Sequence, residues 1–142
     1  MPAAGRVLGL DLGDSRIGVA ISDPDRRLAV PLGTVHVGQP PGEMKAIAAL
    51  VAENGVERVV IGDPRSLSGA SGSRSVHAQA FASALASFLQ VPIELQDERL
   101  STVEAERALR AAGMRGREVR ERVDPAAATV ILQAWLDAHV EA

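Results

Sequence analysis

The first 35 residues contain three strand-like runs that are separated only by short turns. The first run, Arg6–Leu12, is followed by the turn residues Gly13-Asp14-Ser15. Larger apolar side chains alternate with small ones in the second run, Arg16–Ser22, which is followed by Asp23-Pro24-Asp25. Leu28–Val35 is the third run. Gly, Asp, Ser and Pro favour tight turns, and alternation of residue types with a period of two is typical of a strand. The start of the chain therefore predicts three antiparallel strands joined in sequence.

Helical and strand-like patterns alternate after this opening. Two segments carry apolar residues at helical spacing and are predicted to be helices, Glu43–Asn54 and Arg74–Leu89. In the second, Phe88 lies on the predicted core face. Two short segments are predicted to be strands, Glu57–Ile61 and Val91–Gln96. The first is continuously apolar at its core, which is typical of a buried parallel strand. Gly62–Ser73, which is rich in Gly and Ser, is predicted to be a loop.

Two further helices are predicted in the last third of the chain. Ser101 is followed three residues later by Glu104, the pattern of a capping box at a helix start. Met114–Val123 is predicted to be a connector, and Asp124-Pro125 a favourable start for the last helix. The element order predicts one α/β domain over residues 1–142: a mixed five-stranded sheet, its first three strands antiparallel, with helices on both faces.

The composition limits the classes of function. The 142 residues are 46% hydrophobic and 23% charged, as in a globular domain with one core. There is no cysteine, which excludes disulfides and zinc–thiolate sites. No run approaches the roughly 18 apolar residues of a membrane span, and residues 1–6 lack the apolar core of a signal peptide. We therefore expect a cytoplasmic protein without a membrane partner.

Arginine carries nearly all of the positive charge. The net charge of −3 does not by itself indicate a nucleic-acid binder, but six arginines fall between residues 107 and 122. This segment is either a solvated surface or a phosphate-binding one, since a guanidinium binds phosphate through two parallel hydrogen bonds. Arg115, Arg117 and Arg120 are the candidates for such contacts. Aromatic residues are too few for a base-stacking platform.

Four carboxylates stand at the ends of predicted elements. Asp11 ends an apolar run, Asp97 and Glu98 follow the fifth strand, and Asp124 opens the last predicted helix. Burial of a lone carboxylate costs on the order of several kcal/mol unless something compensates its charge. Hard divalent cations prefer carboxylate oxygens, so acids brought together by folding would suit a metal site. Each acid also has a structural interpretation, as a turn residue, a salt-bridge partner or a helix cap.

Three blocks of the chain resemble the YqgF family, the RuvX-like proteins described as Holliday-junction resolvases or pre-16S rRNA nucleases. The blocks are Leu8–Asp23, Asp97–Ala105 and Asp124–Gln133, in the family's order. The resemblance implies an RNase H-like fold and phosphodiester cleavage assisted by Mg²⁺ or Mn²⁺, with two ions expected. It also implies that the catalytic and metal-binding residues are Asp11, Glu98 and Asp124.

Further residues are predicted to surround this site. Adjacent residues of a strand point to opposite faces, so only one of Asp97 and Glu98 can share a face with Asp11. The resemblance assigns Glu98 to the metal and leaves Asp97 as a supporting residue or a salt-bridge partner. Arg16 and Arg99 flank the site and are predicted to bind nucleic acid.

The segment between the fourth strand and the following helix is less typical. Where the family usually has Gly-Leu-Pro before a Gly-rich loop, this chain has Gly62-Asp63-Pro64, and Ser68 replaces the acid of a later Asp-Gly pair. Backbone N–H groups at the helix start near Arg74 are a further candidate for a phosphate contact.

Three functions are compatible with the sequence. The favoured one is a metal-dependent nuclease acting on structured nucleic acid, either precursor 16S rRNA or branched DNA. A non-catalytic nucleic-acid-binding factor in ribosome assembly is the second. The third is an actin-like ATP-binding phosphotransferase, since Asp11-Leu12-Gly13 before a hairpin also resembles the phosphate loop of those proteins, although they need two such domains. Symmetric cleavage of a four-way junction would require two active sites, hence a homodimer, but the sequence reveals no interface.

Overall fold

The computed structural model describes residues 5–13, 15–38, 42–63, 73–97 and 117–139, excluding the side chains of residues 73, 74, 97 and 117–124. Within these ranges the chain forms five strands, which are β1 Arg6–Leu12, β2 Arg16–Ser22, β3 Ala29–His36, β4 Val56–Asp63 and β5 Ile93–Asp97. The helices described are α1 Gly42–Asn54, α2 Ser73–Leu85 and α3 Arg117–Ala138.

The strands form a single mixed sheet in the order β3-β2-β1-β4-β5. β1 pairs antiparallel with β2, and β2 antiparallel with β3, as the tight turns predicted. β4 pairs parallel with both β1 and β5. β1 is therefore the central strand, and the C-terminal ends of β1, β4 and β5 all lie at the same end of the sheet.

Helices cover both faces of the sheet, which confirms the predicted fold class. On one face, Leu8 and Leu10 of β1 belong to a buried cluster with Ile47 of α1 and with Phe81 and Leu85 of α2. On the other face, the buried cluster joins β1, β2, β3 and β4 to α3, through residues that include Val7, Ala20, Val60, Leu132 and Trp135. The alternation of side chains along β1 thus divides the core into two layers.

The end of α2 differs from the prediction. The helix ends at Leu85, not Leu89, because the chain then tightens into a turn: the N–H of Phe88 donates to the carbonyl of Leu85, three residues back, at 2.8 Å. The Phe88 side chain is consequently 38% exposed instead of lying on the core face. The predicted loop is also shorter than expected, since Gly62 and Asp63 belong to β4 and Ser73 to α2.

The start of the last helix also differs from the prediction. Residues 117–123, predicted as part of a connector, are helical, and Asp124 is not a helix cap because Pro125 lies inside α3. A proline inside a helix destabilises the helix by about 3 kcal/mol, because it has no N–H to donate to the carbonyl four residues before it. The preceding turns offset part of this cost: they consist mainly of Arg and Glu, good helix formers, with opposite charges spaced four residues apart.

The helix predicted from Ser101 lies outside the described residues. Among the helices that the structure does describe, none is both long enough and apolar enough to cross a membrane.

Candidate active site

Asp11 lies within the central strand, one residue before its end. It pairs with Gly18 of β2, and its side chain is only 8% exposed. The turn after β1 closes through a backbone hydrogen bond from Gly13 N to Arg16 O at 2.8 Å. Strand alternation places Asp11 on the face that carries Val7 and Gly9, which is the face covered by α3.

Helix α3 runs antiparallel to β1 along this face. At the start of β1, Val7 N donates to Ser22 Oγ of β2. Ser22 in turn pairs with Ala29 of β3, and the N–H of Ala29 donates to Gln133 Oε1 of α3. Gln133 is therefore level with the start of β1. Further along β1, Gly9 lies against Leu132 and the carbonyl oxygen of Ala128. Increasing residue number along β1 thus corresponds to decreasing residue number along α3.

The same geometry locates Asp124 relative to Asp11. Asp124 precedes Ala128 by one helical turn, about 6 Å along the axis, and Asp11 follows Gly9 by two strand residues, about 6.6 Å. The backbone of Asp124 therefore lies toward the same end of β1 as Asp11. The side chain of Asp124 is outside what the structure describes.

Asp97 is the last residue of β5 and pairs in register with Asp63 of β4. Position 63 alternates with Ile61, which lies in the cluster on the α1 and α2 side, so positions 63 and 97 belong to the face opposite Asp11. Glu98 lies outside the described residues, and its assignment as the metal ligand of this pair stays a prediction.

The predicted nucleic-acid-binding arginines fall in three places. Arg16 begins β2, directly after the turn from β1, and is thus at the same sheet end as Asp11. Arg117 and Arg120 lie in the first turns of α3, before Asp124, with side chains outside those described. Arg99 and Arg115 lie outside the described residues.

A buried acid that was predicted to lie in a loop stands at the same end of the sheet. Asp63 ends β4 with 2% exposure, and its Oδ1 accepts a hydrogen bond of 2.5 Å from Ser75 Oγ in the first turn of α2. A carboxylate beside a helix start interacts favourably with the helix dipole and would repel a phosphate there. This carboxylate opposes the phosphate contact near Arg74, which stays a prediction. The signal was available, because Asp63, like Asp11, directly follows a strongly apolar run.

Asp11 is the one predicted metal ligand whose side chain the structure describes. Its buried carboxylate is a hard oxygen donor at the end of a rigid strand, which fits Mg²⁺ or Mn²⁺. Among the described side chains, which exclude those of Glu98 and Asp124, no group of three or more acidic or histidine residues could hold a metal ion.

The chain is similar in sequence to known proteins. A family model described as "RuvX: Holliday junction resolvase" matches residues 5–138. A Chloroflexus aggregans protein named "Putative pre-16S rRNA nuclease" is 47% identical over 133 residues, which cover 94% of each chain. A Mycolicibacterium paratuberculosis protein of the same name is 48% identical over 137 residues, 96% of this chain and 82% of that one.

Two solved structures are similar in fold. The fowlpox virus resolvase in complex with Holliday junction DNA aligns with a TM-score of 0.57 at 7% identity, over 96% of this chain and 99% of the viral one. Thermus thermophilus RuvC in complex with a Holliday junction substrate aligns with a TM-score of 0.50 at 18% identity, over 94% of each chain. At these identities the likeness concerns the RNase H-like fold alone. The sequence relationship is much closer, and by it the chain belongs to the RuvX family.

Proposed function

We propose that this protein is a metal-dependent nuclease whose active site consists of Asp11, Glu98 and Asp124. The observation that carries the proposal is the burial of Asp11 in the central strand, at the end of β1 toward which α3 carries Asp124. Glu98 directly follows Asp97, the last residue of β5, and the C-terminal ends of β5 and β1 lie at the same end of the sheet. Three separate segments thus lead acids toward one end of the sheet.

The chain's own residues would hold and orient the reacting groups. Asp11 lies in β1, which pairs with β2 and β4, and its carboxylate, together with those of Glu98 and Asp124, would hold the two expected ions of Mg²⁺ or Mn²⁺. The bound ions would supply an activated water and stabilise the charge on the phosphate and the leaving oxygen. Asp97, on the opposite face by strand alternation, has at most a supporting role.

Phosphate binding requires positive charge beside these acids, because the protein as a whole carries a net charge of −3. Arg16 begins the strand that pairs with the Asp11 end of β1. Arg117 and Arg120 lie in the helix that carries Asp124. With Arg99 and Arg115, they form the set that we assign to the nucleic-acid backbone.

The names of the relatives favour precursor 16S rRNA as the substrate. Cleavage at its 5′ end, in the cytoplasm, is part of our proposal. The description of the family favours branched DNA as a second substrate. Symmetric cleavage of a four-way junction would additionally require a homodimer on the DNA. A pre-rRNA substrate carries no such requirement.

The deciding experiment is a cleavage assay with the purified protein and Mn²⁺ on three matched substrates: a precursor 16S rRNA fragment, single-stranded DNA and a four-way junction. We expect cleavage of the rRNA fragment, loss of cleavage in EDTA and loss in Asp11→Asn. Asp137→Asn is a matched control, since it removes the same charge from the exposed distal part of α3. Binding without cleavage of any substrate would instead identify a non-catalytic ribosome-assembly factor.

A further inference from the structure

One carboxylate joins three elements on the α3 side of the sheet. Glu94 of β5 accepts a hydrogen bond from Arg58 Nη1 of β4 at 2.6 Å through its Oε1 atom. Its Oε2 atom accepts a hydrogen bond from Trp135 Nε1 of α3, also at 2.6 Å. The guanidinium carbon of Arg58 lies 5.8 Å from the centroid of the Trp135 ring, within the range of a cation–π interaction.

The bond to Trp135 is the more consequential of the two. The side chains of Arg58 and Glu94 are 28% and 39% exposed, so water screens their ion pair. Trp135 is only 4% exposed, and a buried indole N–H that lost its acceptor would be left unsatisfied. Because the acceptor is charged, this hydrogen bond belongs to the stronger class.

Helix α3 is tied to both edge strands of the sheet within three residues. On the β3 side, Gln133 accepts from Ala29 N and donates to Arg27 O, each at 2.9 Å. On the β5 side, Trp135 donates to Glu94. Together these bonds fix the direction in which α3 crosses the sheet.

We propose that Glu94 and Trp135 are positioning residues that set the place of α3 relative to β5. This inference rests on the proposed function, because β5 leads to Glu98 four residues after Glu94, and α3 carries Asp124 eleven residues before Trp135. Eleven helical residues span about 16 Å, so rotating α3 by about 4° at Trp135 would move residue 124 by about 1 Å. Displacements of that size are enough to impair a metal site.

The test measures Mn²⁺ binding by calorimetry, together with the Mn²⁺ concentration that gives half-maximal cleavage. Glu94→Ala removes the acceptor for the Trp135 N–H, and Trp135→Phe removes the donor while keeping an aromatic ring. Glu94→Gln keeps an acceptor and serves as the conservative variant. Ile47→Val is the matched control, because it loosens the core on the opposite face without contacting α3.

We expect Glu94→Ala and Trp135→Phe each to raise the Mn²⁺ Kd about tenfold, the lower end of the range for residues that orient metal ligands. The double variant should be no worse than either single one, because both remove the same bond. Glu94→Gln should recover most of the affinity, and Ile47→Val should bind Mn²⁺ like the wild type.

Two contrary results have different meanings. If Asp11→Asn weakens Mn²⁺ binding but Glu94→Ala and Trp135→Phe leave the Kd unchanged and lower only the melting temperature, the pair is structural and the positioning role is overturned alone. If Asp11→Asn binds Mn²⁺ with the wild-type Kd, the proposed metal site is wrong and the positioning role fails with it.

Discussion

Gly9 of β1 lies so close to Leu132 of α3 that a Cβ atom at residue 9 would stand 2.8 Å from the Leu132 Cβ. The contact atom is next to the helix backbone, and the carbonyl oxygen of Ala128 would be 3.3 Å away, so neither can turn aside. The missing side chain is what lets α3 approach the central strand. It therefore also determines how near Asp124 comes to Asp11.

Gly9→Ala should push α3 away from the sheet. We expect unfolding to become easier by about 1–3 kcal/mol, the usual cost of overpacking a core, and cleavage to fall further than stability alone explains. Denaturant titration and a cleavage assay on the same samples measure the two effects. Gly42→Ala is the control, since nothing lies within 4 Å of an added Cβ there. Equal losses of stability in both variants would contradict the close packing at Gly9.

Substitution of any of the three predicted metal ligands should lower cleavage far more than substitution of Asp97. Asp11→Asn, Glu98→Gln and Asp124→Asn should each lower cleavage more than about a hundredfold, beyond the range for residues that only orient metal ligands. Asp97→Asn should cost much less, because position 97 belongs to the opposite face of the sheet. The rates are compared at saturating substrate after circular dichroism has verified the fold. Loss of cleavage in Asp97→Asn with an active Glu98→Gln would reverse this assignment.

Divalent metal should stabilise the wild-type fold. An ion that binds only the folded state stabilises it by about 2.7 kcal/mol at a hundredfold excess over its Kd. Asp11→Asn should show a smaller rise in melting temperature with Mg²⁺ or Mn²⁺. Without metal this variant should melt at or above the wild-type temperature, because one of several mutually repelling carboxylates is gone. An equal metal-induced rise in both proteins would locate the ion elsewhere.

The hydrogen bond between Ser75 and Asp63 should contribute to stability, because both residues are buried. Ser75→Ala removes a donor from a buried carboxylate, and we expect a loss of about 1–3 kcal/mol in the free energy of unfolding. Ser87→Ala is the matched control, since the Ser87 hydroxyl bonds to a carbonyl at an exposed position. If denaturant titration gives the same small change for both variants, the bond at Asp63 adds little to stability.

The strands were the most predictable part of the fold, because their signals are local. β1 and β2 have the predicted bounds, since alternation along Arg16–Ser22 and turn residues on either side act over a few positions. The start of α3 was mispredicted for the same reason: Asp124-Pro125 is a good local helix start, but helix-forming residues before it continue the helix. The role of Asp63 depends on the register between β4 and β5 and on a contact with α2, which no local pattern contains.

An acidic site that holds a polyanion needs positive charge beside it. The net charge of −3 opposes binding, and residues 107–122 are the densest positive segment of the sequence. Replacing Arg115, Arg117 and Arg120 together with Gln should weaken binding to RNA and DNA alike, because phosphate contacts carry no sequence information.

Salt dependence distinguishes phosphate contacts from a general charge effect. Each lost contact should flatten the slope of log K against log salt by about 0.7 for single strands and 0.9 for duplexes. The measurement is a salt titration of binding to a fluorescent oligonucleotide in Ca²⁺, where we expect turnover to be slow. The control replaces Arg6, Arg27 and Lys45 with Gln, which also removes three positive charges, so both variants change the net charge from −3 to −6. Arg6 begins β1 at the end away from Asp11, and Lys45 lies on α1, across the sheet from α3. The control should keep the wild-type slope. If the two triple variants have equal slopes, residues 115–120 are only a solvated surface, and the nucleic acid must then run past Arg16, Arg65, Arg74 or Arg99.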